Sequence, residues 1–309
     1  MIDIYNKIRG LLLTLFSCGL VLQGCNVINP SEPVPTYIHI DSFHFAQNTA
    51  LKLTNLATGA NSNEFAPTSS QVNVAWVYYN NNPVGIFDLP VTFPVITNGT
   101  VGQLDVYAGI KADGQNNDII NYPFYMDDTF SFAARPGQTI NFNPQIQFYS
   151  GVTLGIISNF EDNTTHFASA NTGVGSIGFT RTNSDSTYLG GGQHSGMIAL
   201  YSPTVDSAID STNFSFPIPA GRAYIEFDYN STVPFYVGLQ ANLSNFISST
   251  PTYLTGIYPN SGWEKFYLEV DGFTGAAQGT SYNFYIKAVL SPGQTSGRLL
   301  IDNIILVTN

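Results

Sequence analysis

From Thr36 onward the sequence carries no sustained 3.6-residue periodicity; apolar residues alternate with polar ones or gather in short aromatic and β-branched runs. That pattern confines the chain to extended structure, because side chains that alternate in and out bury one face only as a strand. Residues 37–43 (YIHIDSF) alternate. Residues 72–79 and 84–89 flank an Asn80-Asn81-Asn82-Pro83 turn and read as a hairpin. A strand over 103–111, a polar loop over 112–118 and further strands within 138–149 follow. These six or seven strands predict an immunoglobulin-like β-sandwich over 36–149. Ser150-Gly151 is the boundary. Beyond it, nine runs (153–159, 177–181, 196–201, 212–216, 223–229, 235–241, 263–270, 282–290 and 298–307) are separated by Gly, Ser, Asn and Pro, which predicts a two-sheet jelly roll over 150–309. The expected fold class is all-β.

Charge narrows the partners. Ten Lys and Arg face 21 Asp and Glu, for a formal net charge of −11. A surface of that sign repels phosphates, so no nucleic-acid partner is expected. Catalytic constellations are missing. Gly-x-Ser-x-Gly does not occur, and Asp127-Asp128 and Glu161-Asp162 are adjacent acids that would point to opposite faces of a strand instead of flanking a glycosidic bond. His39, His44, His166 and His194 lack zinc-ligand spacing. Gly190-Gly191-Gly192 lacks the lysine and helix of a phosphate loop. The chain therefore reads as a non-enzyme.

The N-terminus carries an address. Lys7 and Arg9 precede an apolar run over 10–22, shorter than the roughly 20 residues a membrane span needs. The run ends in Leu22-Gln23-Gly24-Cys25, which resembles the lipobox of bacterial lipoproteins, with Gln23 the less usual residue. The resemblance implies that 1–24 is a cleaved signal peptide and that Cys25 is lipidated, palmitate included, which makes the membrane a partner through the N-terminal lipid. Cys18 would leave with the signal, so no disulfide is expected. Three prolines within 25–35 make that segment an extended tether. Outer-membrane anchoring follows from the resemblance, with the periplasmic and cell-surface faces both open. The hairpin over 76–90 is also similar to a W-V-Y-V-N-G-x-x-x-G element of small surface-lipoprotein domains, which implies a spacer or interaction module.

Three segments in the C-terminal half carry a second resemblance: Ser158-Asn159-Phe160-Glu161, Gln193-His194-Ser195-Gly196-Met197-Ile198-Ala199-Leu200, and Leu299-Leu300-Ile301-Asp302-Asn303-Ile304-Ile305-Leu306. In order and spacing they look like the carbohydrate-binding jelly-roll modules related to galactose-binding-like domains. The resemblance implies that Glu161 and Asp302, on adjacent first and last strands, hold a structural Ca²⁺, with Asn303 standing where a second acid is usual. It also implies a sugar site built on aromatic faces, for which Tyr188, Tyr201, Tyr258 and Trp263 are the candidates, together with Tyr236 and Tyr253. The expected function is a membrane-anchored extracytoplasmic binding protein whose jelly roll takes a glycan or an envelope partner. The alternative is a non-catalytic structural or assembly component of an outer-membrane or surface protein complex.

Overall fold

The computed structural model describes residues 32–46, 51, 53–62, 69–97, 101–114, 118–170, 177–183, 192–244 and 248–309, with Ile4 and Gly10. Cys25 and Tyr188 lie outside the described residues. The architecture is all-β.

The N-terminal part is a two-sheet sandwich. In one sheet Thr36–Ile40 lies between Val91–Val95, antiparallel, and Thr139–Asn141, parallel. In the facing sheet Val74–Tyr79 sits between Asn82–Asp88 and the long strand Val101–Lys111. Alternation sends Ile38, Ile40, Phe93 and Val95 from one side, and Ala75, Val77, Leu104 and Val106 from the other, into a shared core. The hairpin turns on two residues, not the expected four. Asn80 (φ 49°) and Asn81 (φ 64°) are both left-handed, as a twist-matched two-residue turn requires. Pro83 then falls within an edge strand, where its missing N–H breaks no ladder.

The C-terminal part is a jelly roll, its strands passing back and forth between two packed sheets. The final strand, Ser296–Thr308, organises the first sheet. It pairs with His194–Tyr201 and Thr153–Ser158 along one side and with Ala223–Ser231 along the other. The second sheet runs Phe167–Ser169, Ser207–Thr212, Ser281–Val289, Phe235–Asn242, Thr252–Ile257. Phe227, Phe235, Phe266 and Phe284 fill the space between the sheets, with Phe227 stacked on Phe266 at 5.3 Å. The strand expected over 212–216 is not formed; Phe216 makes one bridge to Tyr282. Ser207–Thr212 takes its place in the sheet, hidden from pattern reading by small polar residues and a buried Asp210. A helix over Asp271–Ala277 was also not expected, since two turns carry too few residues to register a period.

The two parts share a wall. Along the final strand Ile304 and Leu306 point into the jelly-roll core, whereas Ile305 and Val307 point into the core of the N-terminal sandwich. Tyr224 and Tyr267 join them on that outer face. Leu53–Asn55, from the N-terminal half, extends the same sheet in parallel with Thr153–Ser158. Polar groups are sealed in with the rings. Lys265 Nζ lies 3.0 Å from Glu226 Oε2 and donates to Ser69 Oγ at 3.2 Å. Ser69 and Asn303 Nδ2 both donate to Asp228 Oδ2, at 3.0 and 2.8 Å. Tyr122 hydrogen-bonds Glu226 and stands edge-on to Tyr224 at 5.3 Å. Glu226, Asp228 and Asp302 are fully buried.

Candidate carbohydrate-binding face

The N-terminal sandwich covers the first sheet's outer side along Ile305 and Val307, and the second sheet supplies the jelly roll's other outer face. Phe235, Val237, Leu239 and Ala241 point inward, so Tyr236, Gly238 and Gln240 point out. The neighbouring strand follows the same rule: Tyr282, Phe284 and Ile286 are core, leaving Asn283, Tyr285 and Lys287 outside. Register then sets the outer residues in rows. Gly238 faces Tyr253 on one side and Tyr285 on the other, and Tyr236 faces Gly256 and Lys287. Tyr236 and Tyr253 are 42% and 36% exposed and meet edge to face at 6.2 Å.

Two glycines shape this face. A Cβ on Gly238 would meet the Thr252 carbonyl oxygen at 2.0 Å, so only glycine allows the edge strand to approach at its bulge. A Cβ on Gly256 would lie 3.0 Å from the Tyr236 ring, which rests over that position. Hydrogen bonds fix the polar members. Tyr285 donates to Gln240 Oε1 at 2.9 Å while Gln240 Nε2 donates to the Ser249 carbonyl at 2.7 Å. Asn283 Oδ1 accepts from Asn242 at 2.8 Å. Rigid tyrosine faces beside oriented amides suit a sugar, whose C–H patches stack on rings and whose hydroxyls need both donors and acceptors.

The aromatics singled out in the sequence are dispersed. Tyr236 and Tyr253 share the open face with Tyr285, which was not singled out because its segment reads as an ordinary core strand. Tyr201, 55% exposed, lies at the opposite sheet beside Met197 and Arg298. Tyr258, 84% exposed, stands past the free edge of the second sheet. Trp263 is half-buried, just before the strand Glu264–Glu269.

Each of the two expected calcium ligands, Glu161 and Asp302, accepts backbone N–H groups. Glu161 Oε1 accepts the backbone N–H groups of Gln193 and His194 at 2.7 and 2.8 Å, which caps a loop. Asp302 Oδ1 accepts the Asn303 N–H at 2.7 Å, and Oδ2 is buried without a hydrogen-bond partner. Asn303, left-handed at φ 50°, turns its amide to Asp228. Among the described residues no three Asp, Glu, His or Cys side chains converge to hold a metal. Burial pushes the Asp302 carboxyl up to about 9, helped by the charges of Asp228 and Glu161.

Asp210 on Ser207–Thr212 is a second buried acid. Its Oδ2 accepts the Phe179 N–H at 2.5 Å, tying down the approach to Thr180–Asn183. Burial raises its pKa to about 6, against the lowering effect of that bond.

No family model matches the sequence, and neither does any curated protein. Solved structures similar to the chain include the family 11 carbohydrate-binding module of a cellulosomal cellulase of Clostridium thermocellum, at 13% identity and a TM-score of 0.35 over 49% of this chain and 92% of that one. A family 29 carbohydrate-binding module is similar at 16% identity and a TM-score of 0.33, over 51% of this chain and 90% of that one. The enzymatically active domain of tailspike protein 4 of bacteriophage CBA120 is similar at 14% identity and a TM-score of 0.36 over 48% of this chain, which spans 20% of that domain.

Proposed function

We propose that this protein is a non-catalytic binding protein, and that its jelly roll takes a neutral glycan across the tyrosine-bearing face of the second sheet. The observation that carries the reading is the outer row Tyr253–Gly238–Tyr285 with Tyr236 beside it. Three rings lie on one outer sheet face, and two of them, Tyr236 and Tyr253, are more than a third exposed. A net charge of −11 disfavours polyanionic glycans. Lipid attachment at Cys25 would place this face outside the cytoplasm, held to a membrane by the proline-rich tether.

Affinity electrophoresis through gels containing neutral polysaccharides tests the reading. Mixed-linked β-1,3-1,4-glucan and β-1,4-galactan belong in the panel, because solved modules of similar shape were crystallised with fragments of them. At least one polysaccharide is expected to retard the wild type. Tyr236→Ala is expected to weaken that retention roughly tenfold, the equivalent of about 1.4 kcal/mol. Tyr201→Ala, on the other sheet, should leave it unchanged. No retardation in any gel, or equal retardation of wild type and Tyr236→Ala, defeats the proposal.

Lipidation is checked separately. Metabolic labelling with a radioactive fatty acid is expected to mark the wild type and to leave Cys25→Ser unlabelled.

A further inference from the structure

Past the free edge of Thr252–Ile257 the second sheet opens onto a cleft of about 720 Å³ between the jelly roll and the N-terminal sandwich. Gly256 belongs to both places: the Tyr236 ring lies over it on the sheet face, and it lines the cleft. The sandwich contributes Asn73 and Lys111 to the wall, and the jelly roll contributes Tyr258, Asn260 and Glu264. Tyr258 projects almost wholly into solvent at 84% exposure. Asn73 lines the cleft, and among the described residues its buried Oδ1 has no hydrogen-bond partner. Among the described residues Lys111 enters no ion pair. Glu264 Oε2 accepts the Tyr229 hydroxyl at 3.1 Å, which fixes it on the opposite side.

This lining contains a ring, an unsatisfied amide oxygen, a donor cation and an anchored carboxylate acceptor. Groups of both signs close together match an array of hydroxyls, each of which donates and accepts, better than they match a ligand of either charge. The volume exceeds what one pyranose ring fills, and it falls within the range of small-molecule sites, which concentrate between domains.

Resting on the glycan-binding reading above, we propose that the cleft is a second carbohydrate subsite, continuous with the tyrosine face past Gly256. One chain lies over Tyr285, Tyr253 and Tyr236, and its end enters the cleft beside Tyr258. The N-terminal sandwich thereby becomes part of the binding site instead of a spacer alone.

The test is calorimetric titration with oligosaccharides of graded length, about two to eight sugar units, cut from whichever polysaccharide the gels retain best. Wild-type affinity is expected to climb with length and then to level off. Tyr258→Ala, at an exposed residue, and Lys111→Gln, at a half-buried one, are expected to bind the shortest fragments as the wild type does. Each is expected to lose at least tenfold in affinity for the longest. Tyr236→Ala should weaken all lengths. If Tyr258→Ala and Lys111→Gln bind long fragments with wild-type affinity while Tyr236→Ala does not, the cleft proposal fails and the sheet-face reading stands. A wild type whose affinity is independent of length also overturns the cleft. A Tyr236→Ala protein that binds all lengths normally overturns the sheet-face reading on which it rests, and so does the absence of any retained polysaccharide.

Discussion

Lys265→Met is expected to lower the folding free energy by about 3–5 kcal/mol. The ammonium is buried against Glu226 Oε2 at 3.0 Å, with Asp228 close by and Ser69 between them. Burial alone would push its pKa down, but Glu226 and Asp228 more than reverse this and hold it above the ordinary lysine value. A base with a raised folded-state pKa contributes stability that is fully present below the unfolded value and is lost only as pH climbs through the folded one. The lysine therefore stabilises at every pH from neutral up to the ordinary lysine range. Methionine matches the stem but leaves Glu226 and Asp228 unpaired inside a wall of tyrosines. Urea unfolding followed by tyrosine fluorescence measures the loss. In Lys265→Met/Glu226→Gln part of it should return, because one of the two orphaned carboxylates goes as well. A single variant within 1 kcal/mol of wild type at neutral pH would show that the pair is solvated and not sealed.

The second large effect runs the other way. Asp302→Asn is expected to stabilise the protein at pH 8 by about 1–4 kcal/mol, from the roughly 1.4 kcal/mol carried by each pH unit of displacement. The Asp302 carboxyl is pushed up to about 9, whereas the unfolded chain ionises near 3.8. Between those values the native state binds more protons than the unfolded state. Wild-type stability therefore falls as pH rises across the window and is least penalised below about 4. Asparagine keeps the shape and removes the titration. Its Oδ1 can still accept the Asn303 N–H, and Asp228, cross-strand partner of Asp302, offers Oδ1 as an unused buried acceptor for the new amide. Thermal melts of both proteins from pH 4 to pH 9 should diverge with rising pH and meet at the acid end. Parallel curves would show that Asp302 is not the titrating group.

Alternation carried much of this fold into view. The strands around Phe235 and Phe284 were legible because each places bulky apolar residues at every second position, and those around Trp76 and Ile301 because they are short runs of aromatic and aliphatic residues. Ser207–Thr212 was not, since its inward members include Asp210 and Thr212, and burial of a polar group leaves no apolar mark on a pattern. The shared wall was illegible for a different reason. In Ala223–Ser231 the glutamate and aspartate alternate with Ile225 and Phe227, and such a pattern normally means acids in water. Pattern distinguishes the face turned away from a core; it does not say whether a second core covers that face. The candidate site divides along the same line. Tyr236 and Tyr253 were visible as aromatic candidates, but their meeting with Tyr285 depends on register, which no local signal encodes.

The final strand has a consequence for the order in which the molecule can be made. Ser296–Thr308 touches three strands of its own sheet and gives alternate residues to two cores, so neither core is complete without it. Ribosomes synthesise it after everything it supports. The N-terminal sandwich, although finished early as sequence, stays open along Ile305 and Val307 until those residues arrive from more than 150 positions downstream. Contacts that distant in sequence are slow to close, so completion of the first core waits on Ile305 and Val307.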